Sequence, residues 1–139
     1  MITLSIKRKL NISADKLWNL FGDFGCSLSQ DIDVKLEKEG KSDSNGVGSI
    51  RIVTIGKRQF RERLENKNPP HSISYSLLSG APVKDYTGDI YIEPINTNTL
   101  LTWKIQFRPK ILGTGWIVKI FVNRTINYIL HQIELEYKN

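Results

Sequence analysis

The feature that most constrains this chain is a change of hydrophobic period near its C-terminal end. Val118, Val122, Ile126, Ile129 and Ile133 recur at spacings of three and four, which marks one face of an α-helix. Ile117, Phe121 and Tyr128 widen that face, and Lys119, Asn123, Asn127, His131 and Glu134 supply a polar back. Such a helix of roughly 20 residues is about 30 Å long, enough to cross a whole sheet, and its broad apolar face must be covered. A chain of 139 residues with 40% hydrophobic content builds one substantial core and not two. The cover must therefore come from the same domain, read as a single unit over residues 1–139.

The rest of the chain predicts that cover to be a sheet. Ile2, Leu4 and Ile6 alternate with polar residues, the period-2 pattern of a half-buried strand. Ser13 then offers a helix N-cap, Asp15 suits the first turn, and Ile12 and Leu17 stand at the positions of a hydrophobic staple. A short helix should run through Leu17, Trp18, Leu20 and Phe21 to Gly22, with a second helical turn around Asp23 to Ser29. From Asp33 the chain reads as a meander: Val34 to Glu39, a polar loop over Lys41 to Gly48, Ser49 to Ile55, and Arg58 to Glu65. After a loop over Asn66 to His71 come Ser72 to Leu78, Tyr86 to Ile92 and Leu100 to Phe107, the last two joined across Pro94 to Asn98. With the first strand this makes a seven-stranded antiparallel sheet.

Alternation sorts the side chains by face. Phe60, Glu62 and Leu64 share one face of their strand and Arg61, Arg63 and Glu65 the other. Tyr75 lies in a second inward set, Tyr86, Gly88 and Ile90 in a third, and Leu101, Trp103, Ile105 and Phe107 in a fourth. Gly56-Lys57 fits a two-residue hairpin with glycine first, which pairs Ile55 with Arg58 and hence Arg51 with Glu62. Directly opposed residues share a face, so Arg51 and Glu62 point the same way, while alternation alone leaves Ile50 and Ile52 competing with Arg51, Val53 and Ile55 for the inward face of that strand. A carboxylate on an apolar face is costly unless paired. Glu62 and Arg51 read either as a polar anchor in a ligand cavity or as a buried structural pair, and Glu62 near the strand end can also reach water. Tyr75, Tyr86 and Trp103, each with an apolar body and a polar tip, read as cavity lining or as plain core. Gly88 either bends the sheet or leaves space for a ligand.

Five segments in order resemble the bacterial polyketide cyclase/dehydrase-like family, within the superfamily of START-like and birch-pollen-allergen-like proteins. They are Asn11-Ile12-Ser13-Ala14-Asp15-Lys16-Leu17-Trp18, Gly46-Val47-Gly48-Ser49-Ile50-Arg51, Glu62-Arg63-Leu64 with Tyr75-Ser76-Leu77-Leu78, Tyr86-Thr87-Gly88-Asp89-Ile90, and Leu101-Thr102-Trp103-Lys104. The resemblance spans almost the whole chain. It implies the α+β helix-grip fold, a curved seven-stranded antiparallel sheet wrapped around a long C-terminal helix with two short helices after the first strand. It also favours Arg51, Val53 and Ile55 inward. Plant abscisic-acid receptors share part of the pattern, but Gly56-Lys57 leaves no room for their long gating loop.

The expected function is binding of a small hydrophobic molecule, such as a lipid, polyketide or isoprenoid-like compound, between sheet and C-terminal helix. Arg51, Val53, Glu62, Tyr75, Tyr86, Gly88 and Trp103 are the candidate ligand-binding residues. A cyclase or dehydratase-type enzyme using the same cavity, with Glu62 as the candidate acid or base, is the alternative. No cofactor or metal is expected: Cys26 is the lone cysteine, and His71 and His131 stand far apart in sequence. Lys and Arg outnumber Asp and Glu by 20 to 14, but the excess is spread out. Its small clusters are Lys7-Arg8-Lys9 and Lys57, Arg58, Arg61 and Arg63. Nucleic acid is therefore disfavoured as a partner, and a membrane surface is retained only as a transient one. The opening residues lack the order of a signal peptide, so a cytoplasmic location is expected.

Overall fold

Gly56 sets the frame of the central hairpin. Its φ of 61° with no positive φ at Lys57 is the backbone of a type II′ turn, whose twist suits antiparallel strands. On either side run β3 (Ile50–Ile55) and β4 (Arg58–Asn68), paired in the expected register from Ile55↔Arg58 through Arg51↔Glu62 to Ile50↔Arg63 without a bulge. The computed structural model describes residues 1–43 and 46–139. Ser44 and Asn45, within the polar loop read over Lys41 to Gly48, lie outside the described residues.

The remaining elements are β1 (Ile2–Leu10), α1 (Ala14–Gly22), β2 (Ile32–Lys38), β5 (Ser72–Ser79), β6 (Val83–Ile95), β7 (Asn98–Pro109) and α2 (Gly115–Tyr137). Among the described residues they form one antiparallel seven-stranded sheet, in the order β1-β7-β6-β5-β4-β3-β2, and two helices. The meander runs from β2 to β7, and β1 closes it by pairing with β7. This is the expected helix-grip arrangement. Ser13 caps α1, its Oγ accepting from the Lys16 N–H at 3.2 Å, and Leu17, Leu20 and Phe21 go into the core. Along α2, Val118, Val122, Ile126, Ile129 and Ile133 are buried as the period requires, with Leu130 beside them.

Four expectations change. The loop read over Asn66 to His71 shrinks to residues 69–71, because β4 stays paired with β5 through Asn66↔Ser74 to Asn68↔Ser72. No second helix forms around Asp23 to Ser29. Asp23 Oδ1 accepts from the Gly25 N–H and its carbonyl from the Cys26 N–H, each at 3.0 Å, a single side-chain-supported turn that is not continued as a helix. Phe24 and Leu28 are buried from this irregular segment. The last hairpin is tighter than a loop over Pro94 to Asn98. Strand pairing continues through Pro94↔Thr99 to Ile95↔Asn98, and Asn96 takes up the turn with φ 57°, a conformation asparagine tolerates. Finally, Ile117 and Tyr128 do not widen the buried face of α2; both are exposed. Their side chains lie off the stripe of Val118, Val122, Ile126, Ile129 and Ile133 that packs into the core. No helix among the described residues is long and apolar enough to cross a membrane.

Candidate functional site

The concave face of the sheet carries a short series of polar groups among apolar walls. Arg51 and Glu62 face each other across β3 and β4, with Arg51 Nε donating to Glu62 Oε1 at 2.9 Å. The arginine side chain is 2% exposed and the glutamate 12%. The guanidinium also lies 4.0 Å from the centre of the Phe24 ring, so the segment that failed to become a helix supplies a cation–π partner. Among the described residues, Arg51 Nη1 nevertheless has no hydrogen-bond partner, and the buried Ser49 Oγ shares that condition.

Tyr75, Tyr86 and Trp103 form the second group. Trp103 Nε1 donates to the Tyr75 hydroxyl at 3.1 Å, and the Tyr75 and Tyr86 hydroxyls are 3.4 Å apart. Trp103 meets Phe21 of α1 edge to face, with ring centres 5.6 Å apart. Burial, above all, raises the pKa of both tyrosines; the nearby Glu62 charge pushes the same way. They are therefore neutral hydrogen-bonding groups at ordinary pH. Gly88 explains how Tyr75 fits. The two residues are paired across β5 and β6, and a Cβ on Gly88 would overlap the Tyr75 ring and approach its hydroxyl oxygen to 2.6 Å. The volume that glycine vacates is filled by the tyrosine ring.

Between these groups and α2 lies a cavity lined by Val53, Glu62, Tyr75, Tyr86 and Trp103 from the sheet, with Val122, Thr125, Ile126 and Ile129 from the helix. Phe60, Leu77, Ala81 and Phe121 complete it. The space between atoms, open mouth included, is about 440 Å³, but only about 40 Å³ admits the centre of a water-sized sphere. The smaller figure is the one to compare with ligand pockets of roughly 300–1,000 Å³. As it stands the cavity holds a few waters and not a drug-sized molecule. A groove on the outer side shares Phe60, Phe121 and Thr125 with it and is edged by Arg58 and Arg124, with Arg58 4.4 Å from the centre of the Phe121 ring.

Five of the seven residues singled out from sequence thus meet at one cavity. Arg51 and Gly88 stand behind it, the first holding Glu62 and the second seating Tyr75. The helix residues and Phe60 and Leu77 were legible only as inward faces, and nothing in the sequence marked Ala81. The outward arginines are not free: Arg61 binds Glu37, with Nη2 to Oε2 at 2.6 Å, and Arg63 pairs with Glu65. Among the described residues no group of histidine, cysteine or carboxylate side chains is arranged to hold a metal ion.

Comparison with known proteins agrees with this architecture. The family model described as polyketide cyclase / dehydrase and lipid transport matches residues 1–133. No curated protein matches the sequence. Among solved structures, a protein from Bacillus thuringiensis is similar at 19% identity and TM-score 0.78, over 96% of each chain. A START superfamily protein from Mycobacterium smegmatis is similar at 16% identity and TM-score 0.74, over 95% of this chain and 94% of that one. Norcoclaurine synthase from Thalictrum flavum, solved in complex with dopamine and hydroxybenzaldehyde, is similar at 17% identity and TM-score 0.68, over 99% and 88%. At such identities the likeness establishes the fold alone.

Proposed function

We propose that this chain, which belongs to the polyketide cyclase/dehydrase and lipid transport family, binds a small hydrophobic molecule carrying one polar or anionic group in the cavity between sheet and α2. The observation that carries this reading is the convergence of Glu62, Tyr75, Tyr86 and Trp103 on one apolar, open-mouthed cavity, the composition typical of ligand sites. Arg58 and Arg124 at the adjoining groove suit an anionic head left at the mouth. Accommodating a ligand requires the N-terminal half of α2 to move away from β4 and β5. The enzymatic alternative needs a second acid or base beside Glu62. The lining offers only tyrosines whose protons are held by burial, so it favours binding over acid/base turnover.

The test is binding of a naphthalene sulfonate probe by folded wild-type, Glu62→Gln, Arg51→Met and Arg61→Ser proteins. Saturable binding by the wild type is expected, with affinity or selectivity changed by the two inward substitutions and left alone by Arg61→Ser. Absence of saturable binding refutes the cavity reading. So does loss of binding in Arg61→Ser with both inward variants silent, which would move the site to the basic outer face.

A further inference from the structure

The polar back read along the final helix is interrupted at its start by an apolar tip. Ile111 is 63% exposed, Leu112 98%, Trp116 66%, Ile117 51% and Ile120 47%. The loop before α2 is held as a tight turn: the Thr114 hydroxyl donates to the Ile111 carbonyl at 2.6 Å, and Gly113 takes φ 85°. That turn leaves Leu112 almost fully exposed. Ile120 continues the patch one turn on, four residues after Trp116 and three after Ile117, spacings that make it a neighbour of each. All three point away from Val118 and Val122, which enter the core.

The charge around this tip is one-sided. From Pro94 to Ile133 the sequence has Lys104, Arg108, Lys110, Lys119 and Arg124 and no Asp or Glu, in a chain that has 14 acidic residues among 139. Lys110 and Lys119 flank the tip in sequence. The acidic side chain that reaches this region from β6 is Asp85, 4.0 Å from Arg108. Large apolar side chains flanked in sequence by Lys110 and Lys119, with a tryptophan among them, are suited to the boundary between lipid headgroups and acyl chains. Basic residues there are drawn to anionic lipid, each changing partitioning on the order of fivefold. A projecting, nearly fully exposed leucine fits penetration of a soft surface better than apposition to a flat protein face.

We infer that the β7–α2 turn and the first turns of α2, Lys110 to Ile120, form a docking tip for an anionic membrane surface. This surface differs from the Lys57 to Arg63 cluster, whose outward arginines are paired with Glu37 and Glu65. The tip is tied to the cavity wall: the Lys110 N–H bonds the Pro82 carbonyl at 3.0 Å, next to Ala81, which lines the cavity. Docking does not depend on the cavity being a ligand site, and the two fail separately.

The experiment is co-sedimentation of the full chain with phosphatidylcholine vesicles, with and without about 30 mol% phosphatidylglycerol. Binding is expected on the anionic vesicles, weak on the neutral ones and reduced by salt. Leu112→Glu should lower partitioning at least about tenfold, as should the double change Lys110→Glu/Lys119→Glu, whereas Arg61→Ser/Arg63→Ser should leave it unchanged. The substituted side chains at the tip are exposed, and circular dichroism confirms folding before each measurement. Vesicle binding should shift tryptophan emission to shorter wavelength, and Trp116→Phe should remove that shift. No binding to anionic vesicles at low salt overturns the inference. It is equally overturned by Leu112→Glu binding as wild type, or by a spectral shift that persists in Trp116→Phe. A concentration-dependent dimer abolished by Leu112→Glu, with no vesicle binding, would instead make a second copy the cover of this patch.

Discussion

Arg51 and Glu62 form a pair whose two halves should respond unequally to substitution. Arg51 is 2% exposed, its Nη1 already lacks a partner, and its positive charge is met by one carboxylate and the face of Phe24. Glu62→Gln keeps the shape but removes the countercharge, leaving a buried guanidinium with a ring and a neutral amide. Breaking a buried pair from that side costs about 3–5 kcal/mol. Arg51→Met also removes the orphaned donor, and the carboxylate left behind is 12% exposed and borders a cavity open at its mouth, where water can solvate it. A cost of about 1–3 kcal/mol is expected. In the double variant Arg51→Met/Glu62→Leu no charge is left buried, so its cost should fall below that of Glu62→Gln alone, in keeping with replaced ion pairs that are near neutral. Urea unfolding followed by far-ultraviolet circular dichroism gives all three values. The reasoning is refuted if Arg51→Met is costlier than Glu62→Gln, or if the double variant costs as much as the two single changes added together.

Gly88→Ala should destabilise by about 2–4 kcal/mol, from overpacking against Tyr75 and loss of its bond to Trp103; in a Tyr75→Ala background most of that cost should vanish, and urea titration of the four proteins decides it. Tyr75 and Tyr86 hold their protons in the folded state above the ordinary tyrosine range, so unfolding releases them at high pH. Their stabilisation is complete below about pH 10 and declines as pH rises toward the folded values, at about 1.4 kcal/mol per pH unit per tyrosine. Tyr86→Phe should therefore make alkaline destabilisation shallower than in the wild type in denaturant titrations from pH 9 to 11. The N-terminal half of α2 should exchange its amide hydrogens faster than the C-terminal half. The former has no side-chain N-cap, while the latter is tied down by Glu134 to the Asn11 N–H and by Glu136 to the Gln30 N–H; equal protection in both halves, measured by mass spectrometry, would contradict this.

The fold was legible because its strongest signals are local and agree with one another. Gly56-Lys57 fixed the register of β3 and β4, and that register placed Arg51 opposite Glu62 four residues from the turn on either strand. The stripe from Val118 to Ile133 located α2 and its buried side. The failures lie where competing local bonds or distant packing decide. Asp23 accepts from the Gly25 N–H as a helix cap does, yet the turn it opens closes at Cys26 and is not continued. Ile117 and Tyr128 carry no mark that separates a buried position from an exposed one, because that depends on where the sheet ends. Gly88 was legible as vacated volume, though not as the seat of the Tyr75 ring, since the occupant comes from another strand.

Apart from Arg51 Nη1, the polar groups at the cavity pair with one another: Trp103 donates to Tyr75, Tyr75 faces Tyr86, and Arg51 Nε donates to Glu62. Self-satisfaction lets these groups stay buried while the cavity is narrow, since an unpartnered polar group there would cost about 1–3 kcal/mol. It also sets the terms for a ligand. A polar atom entering the cavity must exchange an existing bond for a new one, so its net gain is small and the larger share of affinity must come from apolar contact. The 3.4 Å Tyr75–Tyr86 contact is longer than an ordinary hydroxyl bond, which makes it the cheapest to exchange and Tyr86 the most available donor. On the binding reading, selectivity among ligands should accordingly depend on Tyr86 more than on Trp103, whose N–H is committed to Tyr75 at 3.1 Å.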